Sequence, residues 1–213
     1  MTRNYRLLFG PLAGAILGFG IADLALLIPG YSHVRQTVSE IGEIGSPARV
    51  PFAIMLCCVA ACILVFASAV RDVLLATDHS RLAAYPIGFM ALPAAGIGVF
   101  AYPHRMHNVF GISELIGYQA PLVLALTLRR DSRAKTLVLL SWIFCALTWG
   151  AIALNLSSFV PSVWAYVKPF HGVAQRGLFA AWFGWCAAVG ILLFQPIWRS
   201  LATPNSTAVH IML

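Results

Sequence analysis

The chain has 213 residues, of which 60% are hydrophobic and only 10% charged, and its mean hydropathy is +0.84. Soluble domains carry about 25% charged residues, so no single aqueous core could absorb this much apolar surface. The composition excludes an ordinary soluble enzyme, and it makes the net charge of +7 a signal of membrane orientation rather than of nucleic-acid binding.

Apolar runs long enough to span a bilayer recur along the sequence. The first, residues 7–28, follows Arg3 and Arg6 and is too long, and too lacking in a small-residue cleavage site, to be a signal peptide. Gly10, Gly14 and Gly18 form a small-residue stripe on it, and Asp23 falls in its last third. Further spans are expected at 51–70, 82–102, 109–128, 136–160 and 171–194. The third is interrupted by Pro86 and Pro93, which free backbone carbonyls and permit a kink. The fold expected is therefore an all-α, six-helix membrane bundle over residues 1–195, built as three hairpins, followed by a polar tail, 196–213. The cysteines, Cys57, Cys58, Cys62, Cys145 and Cys186, all sit in apolar runs, as small buried hydrophobes do. The tryptophans, Trp142, Trp149, Trp164, Trp182, Trp185 and Trp198, read as belt or packing residues.

Basic residues set the orientation. Arg3, Arg6, Arg71, Arg81, Arg129, Arg130, Arg133, Lys135 and Arg199 fall on one side, and Arg35, Arg49, Arg105 and Lys168 on the other. Both termini are thus expected in the cytoplasm, with the chain in the inner membrane. The loops 31–47, 103–108 and 161–170 then face outward.

The polar stretch 31–47 stands out between apolar segments and carries His33, Ser39, Glu40 and Glu43. Ser32 could cap a short interfacial helix there, with Val34, Val38 and Ile41 on one side. Further polar residues fall at the same depth. His107 and Glu114 are seven positions apart and share a face of the fourth helix, with Asn108 beside them. His171 and Gln175, four apart, share a face of the sixth. One outward-opening cavity would satisfy these groups together, since lipid cannot. Its candidate lining is His33, Ser39, Glu40, His107, Asn108, Glu114, His171, Gln175 and Arg176. Glu40 could serve as an acid or base, and Ser39 as a nucleophile only if a base reaches its hydroxyl. No H-E-x-x-H or comparable zinc spacing is present, and no metal or cofactor is assigned. Arg176, about 8 Å below the outer surface at 1.5 Å per residue, is expected to pair with Glu114 or Asp23, because a charge at that depth needs a partner. A short echo, His33 then Ser39-Glu40 and His107 then Ser113-Glu114, hints at a repeat.

Tyr31-Ser32-His33 leading to Val38-Ser39-Glu40-Ile41-Gly42 and Pro47, then His107-Asn108-x-Phe110-Gly111 and His171-Gly172-x-x-Gln175-Arg176, resemble the ordered motifs of a bacterial and archaeal membrane family, domain of unknown function 998. The resemblance covers about residues 5–195 and implies six helices without an established activity. A fainter likeness runs to the DRAM and GPI-anchor lipid-remodelling family. That family's first loop carries an Ile-Ser-Asp-x-x-Gly-like motif, where this chain has Glu40 and Gly42. Two function classes follow. One is a protein whose cavity binds a membrane lipid or a small polar ligand. The other is a membrane-embedded enzyme acting on lipid with Glu and His acid–base or metal chemistry. A homo-oligomer could supply helices that six alone lack for transport.

Overall fold

The computed structural model describes residues 4–195. The tail expected in the cytoplasm, with Trp198 and Arg199, lies outside the described residues, as does Arg3. Six helices are long and apolar enough to cross a membrane: α1 Tyr5–Ala25, α2 Arg49–Ala76, α3 Arg81–Val99, α4 Arg105–Leu128, α5 Ser132–Phe159 and α6 Pro161–Phe194. The chain is a multi-pass, all-α membrane protein, with no sheet among the described residues. Helices are the form that lets backbone N–H and C=O groups satisfy each other without water.

Each helix packs on the next in sequence, and α6 returns to α1, so the bundle closes as a ring. Phe66 of α2, Leu124 of α4, and Trp182 and Trp185 of α6 are fully buried in the core. Two residues of the glycine stripe make close contacts on α6: Gly10 faces the Cys186 carbonyl and Gly14 faces Phe183, while Gly18 meets nothing. Across the α3–α4 contact, Gly96 meets the Phe110 ring and Gly117 meets Met90.

Two spans are broken, and proline explains both. In α3 the helix divides at Met90, between Ala84–Phe89 and Ala91–Val99, with Pro86 and Pro93 on either side. In α4 it divides at Tyr118 and Gln119, between Arg105–Gly117 and Ala120–Leu128. Pro121 has no N–H to give the Gly117 carbonyl four residues back. The indole Nε1–H of Trp182 donates to that carbonyl instead, at 3.1 Å. Trp182 is therefore a core residue with a specific polar duty rather than a belt residue, and Trp185 likewise donates to Ser141 Oγ at 3.0 Å.

The break separates two packing modes. The second half of α4 packs on α5, whereas its first half packs chiefly on α3 and meets α6 at its end, through the Gly117–Trp182 hydrogen bond. The ring is thus tight at one end and parted at the other, the end that carries residues 31–47.

Three local expectations are corrected. Residues 31–37 form turns and Val38–Gly42 a 3-10 helix, not an interfacial α-helix from Ser32. Ser32 Oγ closes only a turn, accepting from Arg35 N at 3.4 Å. The turn expected at 103–108 is already helical from Arg105, because His104 Nδ1 caps the helix by accepting from Met106 N at 3.1 Å. The loop expected at 161–170 is a short helix, Pro161–Val167, entered through proline at its first position, followed by a 3-10 turn, Lys168–Phe170.

Candidate functional site

The parted end of the ring holds a cavity of about 480 Å³. Most of its wall is apolar, with Leu56, Val59, Leu178 and Phe183 among its residues. The polar residues on it are Ser39, His107, Asn108, Glu114, Tyr118, Asn155, His171 and Gln175. Ile112, Leu156 and Phe159 form part of the same lining yet are 68%, 46% and 80% exposed. They belong to the first half of α4, which packs chiefly on α3, and to the end of α5. The cavity therefore opens sideways, between α4 and α5, through an apolar rim.

The segment 31–42 closes the cavity at the loop end and is held by α6. Arg176 Nη1 donates to the carbonyls of His33, Gln36 and Gly172 at 2.9, 2.8 and 2.9 Å. Its Nη2 donates to Tyr31 Oη at 2.7 Å, and Tyr31 Oη–H donates in turn to the Thr37 carbonyl at 2.6 Å. Burial pushes the Tyr31 hydroxyl above its ordinary pKa, against the pull of Arg176, so it stays a neutral donor. Gln175 Oε1 accepts from Val38 N, and Val173 N donates to the Val34 carbonyl at 3.2 Å. Gly172 makes the approach feasible, because a Cβ there would collide with the Gln36 and His33 carbonyl oxygens.

This arrangement corrects the expected ion pair. Arg176 meets neither Glu114 nor Asp23. The two terminal nitrogens of its guanidinium are taken up by backbone carbonyls and a tyrosine, while Nε is buried without a partner. Asp23 is exposed at the end of α1. Glu114 accepts from Tyr118 Oη–H at 2.8 Å, one turn away on its own helix.

Of the residues named from sequence, Ser39, His107, Asn108, Glu114, His171 and Gln175 share the cavity wall. Three do not. His33 is exposed and packs edge-on against Tyr31. Glu40 accepts from Thr37 Oγ1 at 3.2 Å and lies off the wall. Arg176 lies behind the wall as the clamp on the loop. Sequence reasoning missed Tyr118 and Asn155. Asn155 lies inside an apolar span, which is itself a signal. It donates to the carbonyls of Ala151 and Ala174 at 2.8 and 3.1 Å, joining α5 to α6.

The shortest link between the loop and α4 is a side-chain pair. Ser39 Oγ lies 3.0 Å from His107 Nε2, and His107 Nδ1 lies 2.9 Å from the Phe100 carbonyl. A carbonyl only accepts, so Nδ1 carries the proton and the neutral ring presents Nε2 as acceptor to the serine hydroxyl. His107 is buried, with Tyr102 edge-on at 5.7 Å. His171 is held differently, T-shaped against Trp164 at 4.9 Å. The described residues contain no group of three His, Cys, Asp or Glu side chains placed to hold a metal.

A closed ring of six apolar, membrane-length helices defines a multi-pass, all-α membrane protein, and the ring is parted at one end around a cavity. No family model, curated protein or solved structure matches the chain.

Proposed function

We propose that the protein binds a membrane lipid in this cavity, with the apolar tail entering between α4 and α5 and the polar part against Ser39, Asn108, His171 and Gln175. The observation that carries the reading is the sideways opening. A pocket for a soluble ligand would open to water, whereas this one has exposed Ile112 and Phe159 on its rim. Its volume of about 480 Å³ suits one acyl chain and the start of a headgroup rather than a whole phospholipid. Asymmetry of basic residues supports cytoplasmic termini, an outward-facing loop end and residence in an inner membrane. The motif resemblance to domain of unknown function 998 belongs with this proposal, and the weaker likeness to lipid-remodelling factors agrees with its ligand class.

The test is photocrosslinking in lipid nanodiscs with a phospholipid carrying a diazirine on its acyl chain. Adducts are expected on peptides containing Ile112, Leu156 and Phe159. Adducts spread evenly over the outer surface of all six helices would contradict the reading. A second reading, an enzyme acting on the bound lipid, is favoured by one observation, the Ser39–His107 hydrogen bond.

A further inference from the structure

We infer that Ser39 and His107 form a nucleophile–base pair that transfers the acyl group of an ester-linked lipid, an inference that rests on lipid binding in the same cavity. Three observations carry it. First, the geometry is directional. His107 Nδ1–H is committed to the Phe100 carbonyl at 2.9 Å, so Nε2 is the basic nitrogen, and Ser39 Oγ sits 3.0 Å from it. A serine hydroxyl becomes a competent nucleophile only when a positioned base can take its proton, with a third group orienting that base. Here the orienting group is a backbone carbonyl, fixed in the turn that leads to α4.

Second, both side chains are on the cavity wall rather than in the packed core. A hydrogen bond serving only to tie the loop to α4 could be sealed from the chamber. Third, two amide side chains share the cavity wall with the pair. Asn108 follows His107 in sequence and lines the cavity. Gln175 gives its Oε1 to Val38 N, next to Ser39, which leaves its NH₂ to donate. Donors placed where negative charge develops on a carbonyl oxygen are what acyl transfer requires.

The chemistry balances with water as the only co-reactant. Ser39 Oγ attacks the ester carbonyl while His107 Nε2 takes the hydroxyl proton. The tetrahedral intermediate collapses, breaking the bond from the acyl carbon to the alcohol oxygen, and His107 returns the proton to that leaving alcohol. The acyl group is now an ester of Ser39. A water molecule in the chamber loses a proton to His107 and attacks the acyl carbon. Collapse releases the fatty acid and restores Ser39 as its hydroxyl. A lipid alcohol in place of water would give transacylation by the same steps.

The experiment uses the full chain in nanodiscs of ester-linked phosphatidylethanolamine and phosphatidylglycerol, treated with a long-chain alkyl fluorophosphonate. Peptide mass spectrometry should place the adduct on Ser39, and Ser39→Ala should reduce labelling to background. His107→Gln should label at least about a hundred-fold more slowly, the scale of a lost general base. Fatty acid release should occur from ester-linked lipid and not from the ether-linked analogue. Size-exclusion profile and retained lipid are measured on every sample. Lipid retained by wild-type protein without any Ser39 adduct would overturn the dyad and leave lipid binding standing. Labelling of His107→Gln at the wild-type rate, with its lipid retained, would also overturn the dyad. Should His107→Gln fail to fold, Ser39→Ala and fatty acid release from wild-type protein decide the matter. Loss of both lipid and labelling in wild-type protein would overturn the cavity reading as well.

Discussion

The two ends of the bundle solve the same problem in opposite ways. At the loop end, one arginine is held by neutral partners: the carbonyls of His33, Gln36 and Gly172 and the hydroxyl of Tyr31. At the other end, charges pair with charges: Arg6 with Asp72 at 2.8 Å, and Asp131 with Arg133 at 2.8 Å, with the His79 ring 3.4 Å from Asp131. The ion pairs link chain segments without defining a surface between them. The carbonyl cage instead fixes the path of residues 31–38, and so fixes where Ser39 stands relative to His107. Positioning at this end depends on the backbone, and a change in one side chain should move the whole wall.

Breaking the cage should give the largest effect. Arg176→Ala removes a donor from three carbonyls and a tyrosine, of which the Gln36 carbonyl and the Tyr31 hydroxyl are part-buried and outside any helix, and a buried acceptor left unpaired costs about 1–3 kcal/mol. We expect a loss of at least about 3 kcal/mol, read by thermal unfolding in detergent, together with exposure of residues 31–38 to protease. Retained protease resistance would show that the cage does not hold the loop. Gly172→Ala comes next, because its Cβ meets the Gln36 and His33 oxygens and the loop must shift, at a cost of about 1–3 kcal/mol. Wild-type stability in that variant would mean that the contact is loose.

Of similar size is the effect of Trp182→Phe, which strands the Gly117 carbonyl where α4 breaks. A loss of about 1–3 kcal/mol is expected, and Pro121→Ala, which restores the missing N–H, should recover part of it. No recovery in the double variant would argue that the indole serves packing alone. At the opposite end, Arg6→Ala should change stability by no more than about 1 kcal/mol, since both members of that pair are about half exposed. A larger change would erase the contrast between the two ends.

That end should also respond to pH. The hydrogen bond from Arg133 holds the Asp131 carboxyl below its ordinary pKa, and His79 adds to the effect. The stabilising contribution is thus complete above the unfolded carboxylate pKa and is lost as pH falls through the depressed folded value. Asp131→Asn should flatten the acid limb of stability against pH between neutrality and about pH 3, and an unchanged acid limb would remove Asp131 from the account.

The sequence made the spans legible because hydropathy over a bilayer's width is a strong signal, and Pro86 and Pro93 announced the break in α3. The break in α4 was legible in principle from Pro121, but its partner, an indole on α6, carries no sequence signature. Arg176 shows the same limit more sharply. A buried cation suggests an acid, and two acids lay at a suitable depth, yet backbone carbonyls filled the role. Carbonyls belong to every residue, so no pattern of letters reveals which of them converge. Helical spacing gathered His107, Asn108, Glu114, His171 and Gln175 onto facing helices, and Ser39 joined them from the loop. Glu40 did not, because Val38–Gly42 is a 3-10 turn with three residues per repeat, which turns Glu40 back toward Thr37.

Occupation of the chamber by a lipid is tested most directly at Gly111. It lines the cavity, and a Cβ placed there meets nothing within 4 Å, so a large side chain can fill the space without disturbing the helices. Lipid extracted from purified wild-type protein and from Gly111→Trp would be quantified by mass spectrometry after identical washing in detergent. About one retained lipid per wild-type chain is expected, with most of it lost in the variant and the size-exclusion profile unchanged. Equal lipid retained by both proteins would contradict occupation of the chamber.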